Sequence, residues 1–311
     1  HRFIGSLRFP DKSTEDNRQK EDETAHGLHC KCMGAVEKKF TFGSAAAIIG
    51  PRMNTSLKDK WVFITGASAG FGAEAALHFA REGANIVIGA RRVERLKAVA
   101  AECEKEGAAS AHFHELDVAC TDNVNAYVEW INELTPKLDV LVNNAGGAHG
   151  IDTVAEGKDE DWEAMVESNF LGLMRVTRAC LPLMVKNPGS TIINIGSIAG
   201  RVAYEYGSVY CGVKAAEKSI TQTLRLELNG TGVRVGTLDP GLAETEFAMV
   251  RFKGDQQKAD KVYEGLDPLV AKDIAEAMVW MATRPPHVCI DEILIKCTAQ
   301  AAIHKTHRKT S

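Results

Sequence analysis

Thr65-Gly66-Ala67-Ser68-Ala69-Gly70-Phe71-Gly72 is the stretch whose reading decides the fold. Just before it, Trp61–Thr65 (WVFIT) is a short, nearly continuous apolar run, the pattern of a strand buried on both faces. Just after it, Glu74–Glu82 carries a helical period. Between the two, glycines spaced Gly-x3-Gly-x-Gly let the backbone turn tightly and approach a pyrophosphate, whose charge then sits at the helix N-terminus. The spacing differs from the Gly-x-Gly-x2-Gly of the commonest dinucleotide turn. Taken alone, the stretch leaves two readings open, a ligand cradle and a plain structural turn.

Working outward, strand-like runs recur at Asn85–Gly89, Ala111–Asp117, Val140–Asn143, Thr191–Ile195, Arg234–Leu238 and Glu292–Lys296. Helical periods lie between them at Val93–Glu106, Asp122–Leu134, Glu163–Lys186 and Val209–Leu228. Strand–helix alternation repeated this often predicts one α/β domain, a Rossmann-type doubly wound parallel sheet of about seven strands flanked by helices. Residues 53–300 form that domain in this reading, and residues 301–311 a solvated C-terminal tail. Residues 1–52 are polar and aperiodic and read as a disordered or non-native extension, with Met53 as the start of the folded unit.

Composition narrows the function classes. The 311 residues carry 37 basic and 41 acidic side chains, a net charge of −4, which does not fit a dedicated nucleic-acid binder. No apolar run approaches the roughly 18 residues that span a bilayer, so no membrane partner is expected. Eight cysteines scattered through a long chain fit a reduced, cytoplasmic protein better than a disulfide scaffold. In the extension, His26, His29, Cys30 and Cys32 could ligate a soft metal. No second ligand pair follows at zinc-finger spacing, and the favoured reading is a solvated segment with no metal.

Three further patterns carry chemistry. Asn143-Asn144-Ala145-Gly146 closes the fourth strand, Ser197 closes the fifth, and Tyr210 and Lys214 open the next helix on one shared face. An ammonium beside a phenol lowers the phenol pKa, so Tyr210 can act as acid or base nearer neutral pH. Ser197, on an adjacent strand end, can meet the same oxygen. A Tyr-x3-Lys pair alone is an ordinary surface pair; joined to the glycine turn and Asn-Asn-Ala-Gly in this order, it points to one reaction site.

In that order the motifs resemble the short-chain dehydrogenase/reductase family, over essentially all of residues 53–300. The resemblance implies that Tyr210 exchanges a proton with the substrate oxygen, that Ser197 holds and polarises that oxygen, and that Lys214 binds the nicotinamide ribose and depresses the Tyr210 pKa. It implies too that Asn169, in Ser168-Asn169-Phe170, anchors a water in the proton relay. Cofactor contacts follow at Gly66, Ser68, Gly70, Phe71 and Gly72, at Asn144, Ala145 and Gly146, and at Asp117 and Val118 beside adenine. Pro240 and Gly241 would turn beside the nicotinamide, with Thr245 on its carboxamide or the phosphates. A homo-oligomer, a tetramer by family habit, is implied as well.

The choice of nucleotide has a local argument. A 2′-phosphate needs cations where an NAD enzyme places a carboxylate on the ribose diol. Gly89-Ala90-Arg91-Arg92 follows the second strand with no acid, and Ser68 adds a donor, so NADP(H) is expected over NAD. The opposing reading is that both arginines merely start a solvated helix. Asn194–Gly200 (NIGSIAG), Asp239–Phe247 (DPGLAETEF), Val250–Asp255 (VRFKGD) and Arg284–Val288 (RPPHV) resemble the NADP-dependent 3-hydroxy acid (serine/allo-threonine) dehydrogenase branch. Cys211-Gly212 and Gly147-Ala148-His149 depart from it.

The segment Glu244–Gly265 is placed to form a lid that excludes water. In it, Arg251 or Lys253 can pair with a substrate carboxylate, against a reading of both as ordinary surface charge. His149 is at most a pocket wall. The expected activity is NADP(H)-dependent interconversion of 3-hydroxy acids, such as L-serine or allo-threonine, and 3-oxo acids. The alternatives are a broad NADPH carbonyl reductase of ketones, aldehydes or steroids, and, further off, a non-catalytic NADP-binding sensor with no need of Tyr210.

Overall fold

The computed structural model describes residues 55–309; the extension 1–52, with its His26–Cys32 cluster, and Met53 lie outside the described residues. Six strands come first in the chain: β1 (Trp61–Thr65), β2 (Asn85–Ala90), β3 (Ser110–Glu115), β4 (Val140–Asn143), β5 (Thr191–Ile195) and β6 (Arg234–Pro240). Two short strands, β7 (Ala243–Glu244) and β8 (Leu269–Val270), precede β9 (Glu292–Ile295). The main sheet is parallel throughout, in the order β3-β2-β1-β4-β5-β6-β9. The winding reverses between β1 and β4, and in such sheets a crevice opens there beyond the carboxyl ends of the strands.

Helices on both faces explain why the central strands are buried at nearly every position and mostly apolar. Val62 and Ile64 join Ile86, Ile88, Val140 and Val142 beneath α1 (Gly70–Arg81), α2 (Val93–Glu106) and α9 (Ala271–Ala282). Phe63, Val87, Leu141 and Ile192 face the other way, toward α3 (Thr121–Leu134), α5 (Gly172–Met184) and α6 (Ser208–Glu227). Each large aliphatic side chain so buried contributes about 1.5–3 kcal/mol. The edge strands β3 and β9 are only partly buried, and β3 carries His112 and His114.

The third strand and the long helix are among the elements that differ from the sequence reading. The third strand ends at Glu115; the Leu116 amide still donates to the Ala90 carbonyl at 3.1 Å, and Asp117 then turns the chain out of the sheet. The helix read as Glu163–Lys186 is three pieces: α4 (Asp159–Met165), a π-helical stretch Val166–Leu171, and α5. A π turn takes up one extra residue in a helix. Here its freed hydrogen-bonding capacity is met by Asn169, whose amide donates to the carbonyls of Met165 and Gly147, both at 2.9 Å.

Beyond β6 the chain leaves the sheet. Strands β7 and β8 pair in parallel and close the base of an excursion holding α7 (Phe247–Arg251) and α8 (Gln256–Tyr263). The C-terminal residues, read as a solvated tail, form a hairpin of β10 (Gln300–Ala302) and β11 (Lys305–Thr306). They are mostly exposed beyond Ile303 yet anchored: the Lys309 amide donates to the Gly265 carbonyl, and the Arg308 guanidinium to the carbonyls of Glu264 and Val262. Among the described residues, no helix is long and apolar enough to cross a membrane.

Candidate active site

A cleft of about 400 Å³ lies at the carboxyl ends of β1, β4, β5 and β6. It brings together Gly66, Gly70, Phe71, Arg92, Asn144, Ala145, Gly146, Ser197, Tyr210, Lys214, Pro240, Gly241, Thr245 and Arg251. Ser68, Gly72, Arg91, Asp117, Val118, Asn169 and Lys253 stand outside its lining.

One end is the glycine turn. Gly66 has φ +68, and a Cβ there would lie 2.8 Å from the Ala145 Cα. At Gly72 a Cβ would meet the Asn144 side-chain nitrogen at 2.5 Å. The turn and the Asn144–Gly146 segment are therefore pressed together, with no room for a side chain between them. Thr65 stitches them: its hydroxyl accepts from the amides of Asn144 and Ala145, both at 3.0 Å. The α1 N-terminus has no side-chain cap and no acid in its first turn. Gly70 and Phe71 of its first turn line the cleft, so the positive dipole end of the helix lies there, as a pyrophosphate requires.

Beside this turn the Arg92 Nε donates to Ser68 Oγ at 3.1 Å. The two carboxylate oxygens of Glu246 take Nη1 of Arg92 (2.9 Å) and of Arg95 (2.6 Å). Although its surroundings tend to raise it, these arginines hold the Glu246 carboxyl below the usual carboxylate range. Arg91 is exposed and makes no hydrogen bond or ion pair among the described residues. Asp117 shapes the turn after β3, its carboxylate accepting from the Ala119 amide, and Val118 is buried against Gly172.

The other end holds the polar side chains. Ser197 caps the short turn Ile198–Gly200, its Oγ accepting from the Ala199 amide at 3.1 Å. Tyr210 packs its ring 5.6 Å from that of Phe247, and its hydroxyl has no hydrogen-bond partner among the described residues. Lys214 Nζ donates to the Ile195 carbonyl at 2.6 Å and to Glu217 Oε2 at 2.8 Å. Burial works to lower the Lys214 pKa, but Glu217, Tyr210 and Asp239 outweigh it and hold it above the usual lysine value. Asn169 is buried and clasps Gly147 from both sides, accepting from its amide at 3.2 Å as well as donating to its carbonyl.

The segment after β6 covers this end. Arg251 Nη1 donates to the Tyr204 hydroxyl at 2.7 Å, and its guanidinium lies 6.0 Å from the centre of the Tyr210 ring. Lys253 instead pairs with Asp161 at 2.7 Å, away from the cleft. His149 lines a small neighbouring hollow, and burial lowers its pKa.

Tyr204, Gln300 and Ile303 of the lining escaped the sequence reading, while Glu246, Phe247 and Tyr263 fall in the segment read as a lid without being singled out there. Gln300 and Tyr263 brace the segment, the Gln300 side-chain oxygen accepting from the Leu242 amide and the Tyr263 hydroxyl donating to the Ala243 carbonyl. Nothing local marks a glutamine 60 residues beyond the Pro240 turn as part of the site. Glu217, three residues after Lys214, reads in the chain as an ordinary neighbouring pair, and only the structure shows it on the buried stripe of its helix.

The assembly offers two hydroxyls and a cation at one end of a cleft, and an uncapped helix N-terminus with nearby arginines at the other. Comparison with known proteins gives the same direction. The family model described as short chain dehydrogenase matches residues 60–256. A sulfoacetaldehyde reductase of Chromohalobacter salexigens is 44% identical over 77% of this chain and 94% of its own. An NADP-dependent 3-hydroxy acid dehydrogenase of Schizosaccharomyces pombe is 39% identical over 81% of this chain and 98% of its own. Among solved structures, the closed form of a serine dehydrogenase complexed with NADP+ superposes with a TM-score of 0.72 at 38% identity, covering 80% of this chain and 99% of the other.

Proposed function

Because the chain belongs to the short-chain dehydrogenase family and is an NADP-dependent oxidoreductase, we propose that its reaction is the interconversion of 3-hydroxy acids and 3-oxo acids. The observation that carries this reading is the company Tyr210 keeps: Ser197, Lys214 and the Arg251 guanidinium line the same end of one cleft. The relatives named for serine, 3-hydroxy acids and sulfoacetaldehyde share a substrate chemistry, an anionic group close to an oxygen-bearing carbon.

The residues present fit the cofactor. The α1 N-terminus and the close approach at Gly66 would take the pyrophosphate, and Arg91, Arg92 and Ser68 the 2′-phosphate. When bound, NADP(H) supplies the two-electron chemistry, giving or taking a hydride at its nicotinamide ring.

The chain does the rest. Tyr210 passes a proton between its hydroxyl and the substrate oxygen. Ser197, whose Oγ already accepts from Ala199, points its own proton at that oxygen and polarises it. Lys214 spends two of its three N–H donors on Ile195 and Glu217 and keeps one for the ribose. Asn169 has committed both amide protons to Met165 and Gly147, so its contribution is to hold Gly147 in place, with an Oδ1 lone pair left for a water. Arg251 takes the substrate anion. The cations lining the cleft are Arg92, Lys214 and Arg251, and of these Arg251 lies over the Tyr210 ring and outside the cofactor cradle.

The assay is NADP(H) absorbance with L-serine, 3-hydroxybutyrate, sulfoacetaldehyde and a neutral diketone. Turnover of the anions supports the reading; turnover of the diketone alone overturns it in favour of a carbonyl reductase. Assembly as a cytoplasmic homotetramer, with residues 53–300 as the catalytic unit, belongs to the same proposal, and light scattering measures the subunit number.

A further inference from the structure

Helix α6 carries a carboxylate where an amphipathic helix normally buries an apolar side chain. Glu217 is 1% exposed. Its Oε2 accepts from Lys214 Nζ, while its Oε1 is buried with no hydrogen-bond partner among the described residues. Neutral polar groups lie beside it: Thr221 of the same helix donates to the Glu217 backbone carbonyl, and Asn194 of β5 donates to Thr221. The charged groups acting on the pair are few. Tyr210 lies on the same helix, and Asp239 comes from β6, itself bound by Arg201 at 2.6 Å.

An unpartnered carboxylate oxygen in such a place is costly, and a proton relieves the cost. Burial accordingly pushes the Glu217 carboxyl up to about 7 in spite of Lys214.

Resting on the roles assigned above to Tyr210 and Lys214, we propose that Glu217 is a positioning residue for Lys214. As a carboxylate it holds the ammonium toward Ile195 and cancels its charge; as a neutral acid it releases that charge and an N–H donor to the cofactor. The Lys214 ammonium then alternates between an internally neutralised state and one in which its full charge faces the cleft. Cofactor affinity becomes sensitive to pH close to neutrality through a group that touches neither cofactor nor substrate.

The test is the NADP+ dissociation constant as a function of pH, measured fluorimetrically on the full chain, on Glu217→Gln and on Glu217→Met. Both variants remove the charge, so one serves if the other does not fold. Titration of the 2′-phosphate is common to all three proteins and drops out of the ratios. Above pH 7 the variants should bind about tenfold more tightly than the parent, the scale of one charge acting over several ångströms in a partly buried site. Below that pH the ratio should close toward one. A ratio that does not change with pH, or weaker binding by the variants at high pH, overturns the proposal and leaves Glu217 a structural residue.

A second readout needs no cofactor. The Glu217 carboxyl band, isolated as the infrared difference between parent and Glu217→Gln, should vanish as pH rises through about 7; a side chain ionised throughout overturns the proposal. Should the parent bind no NADP+, the functional reading falls while this titration still decides the role of Glu217. Linkage gives the sign for stability. Folding takes up a proton here between the ordinary 4.5 and about 7, so the parent loses stability relative to Glu217→Gln as pH rises across that interval.

Discussion

The two walls of the cleft are built on different physical terms. The deep wall, from β5 through Ser197 to α6, fastens its polar groups with buried hydrogen bonds: Asn143 to Thr177 and Asn194, Asn194 to Thr221, Lys214 to Ile195 and Glu217. The outer wall, from Thr245 to Tyr263, meets the nucleotide-facing side through exposed ion pairs. In the Arg92–Glu246 pair the side chains are 46% and 45% exposed. Leaving a buried polar group unpaired costs about 1–3 kcal/mol, whereas an exposed ion pair contributes about 0–1 kcal/mol. The groups proposed to react therefore sit where nothing can shift cheaply, and those proposed to admit ligands sit where contacts can part.

The sharpest way to break this comparison is at its deepest point. Tyr210→Phe removes one hydroxyl and little else, so kcat should fall roughly 10²-fold or more while the NADP+ dissociation constant stays near its parent value. Near-normal single-turnover rates would show that the deep wall is not where the proton moves.

Next in size is Arg251→Met, at the seam between the walls. Loss of a charge-assisted pair with the substrate should lower kcat/KM for serine or 3-hydroxybutyrate by about 10- to 150-fold, and leave a neutral ketone nearly untouched. Lys253→Met, which breaks only the pair with Asp161, is the control and should discriminate between no substrates. Equal losses on acid and ketone would mean that Arg251 serves the fold, through Tyr204 and Gly150, and not the anion.

The cofactor side should respond less steeply and with salt. Replacing Arg91 and Arg92 by Ala should raise KM for NADP+ by about tenfold more than KM for NAD+, and the gap should narrow at high ionic strength. Parallel changes for both nucleotides would make the arginines structural.

The smallest effect is expected at the latch. Glu246→Gln frees Arg92 and Arg95 from a carboxylate that competes with the 2′-phosphate, and should tighten NADP+ by about two- to fivefold, as befits an exposed pair. Weaker binding would show that the latch organises the arginines for the phosphate.

How much of this was legible beforehand follows the same division. The strands are evident in the chain because burial on both faces demands unbroken runs such as Val62–Ile64, and β1, β4 and β5 begin and end where those runs do. The glycine turn, Ser197, Tyr210 and Lys214 are evident because local geometry demands particular residue types at particular spacings. The break in the long helix is not evident, since the π turn at Asn169 answers to the Gly147 backbone, 22 residues distant. Nor is the pairing of Glu246 with Arg92, separated by 154 residues.

Patterns with a short period, alternation in strands, the helical stripe and the glycine spacing, were determined by the sequence itself, because each depends on interactions within a few residues. They settle the doubly wound sheet and the residues at its carboxyl edge. Only the tertiary structure decided which side chains share a cavity. It put Gln300 under Leu242, turned Lys253 away to Asp161 while leaving Arg251 over Tyr210, and buried Glu217 against Lys214. Burial and charge pairing are properties of neighbours in space, and a carboxylate one helical turn from a lysine reads the same in the chain whether water surrounds it or nothing does.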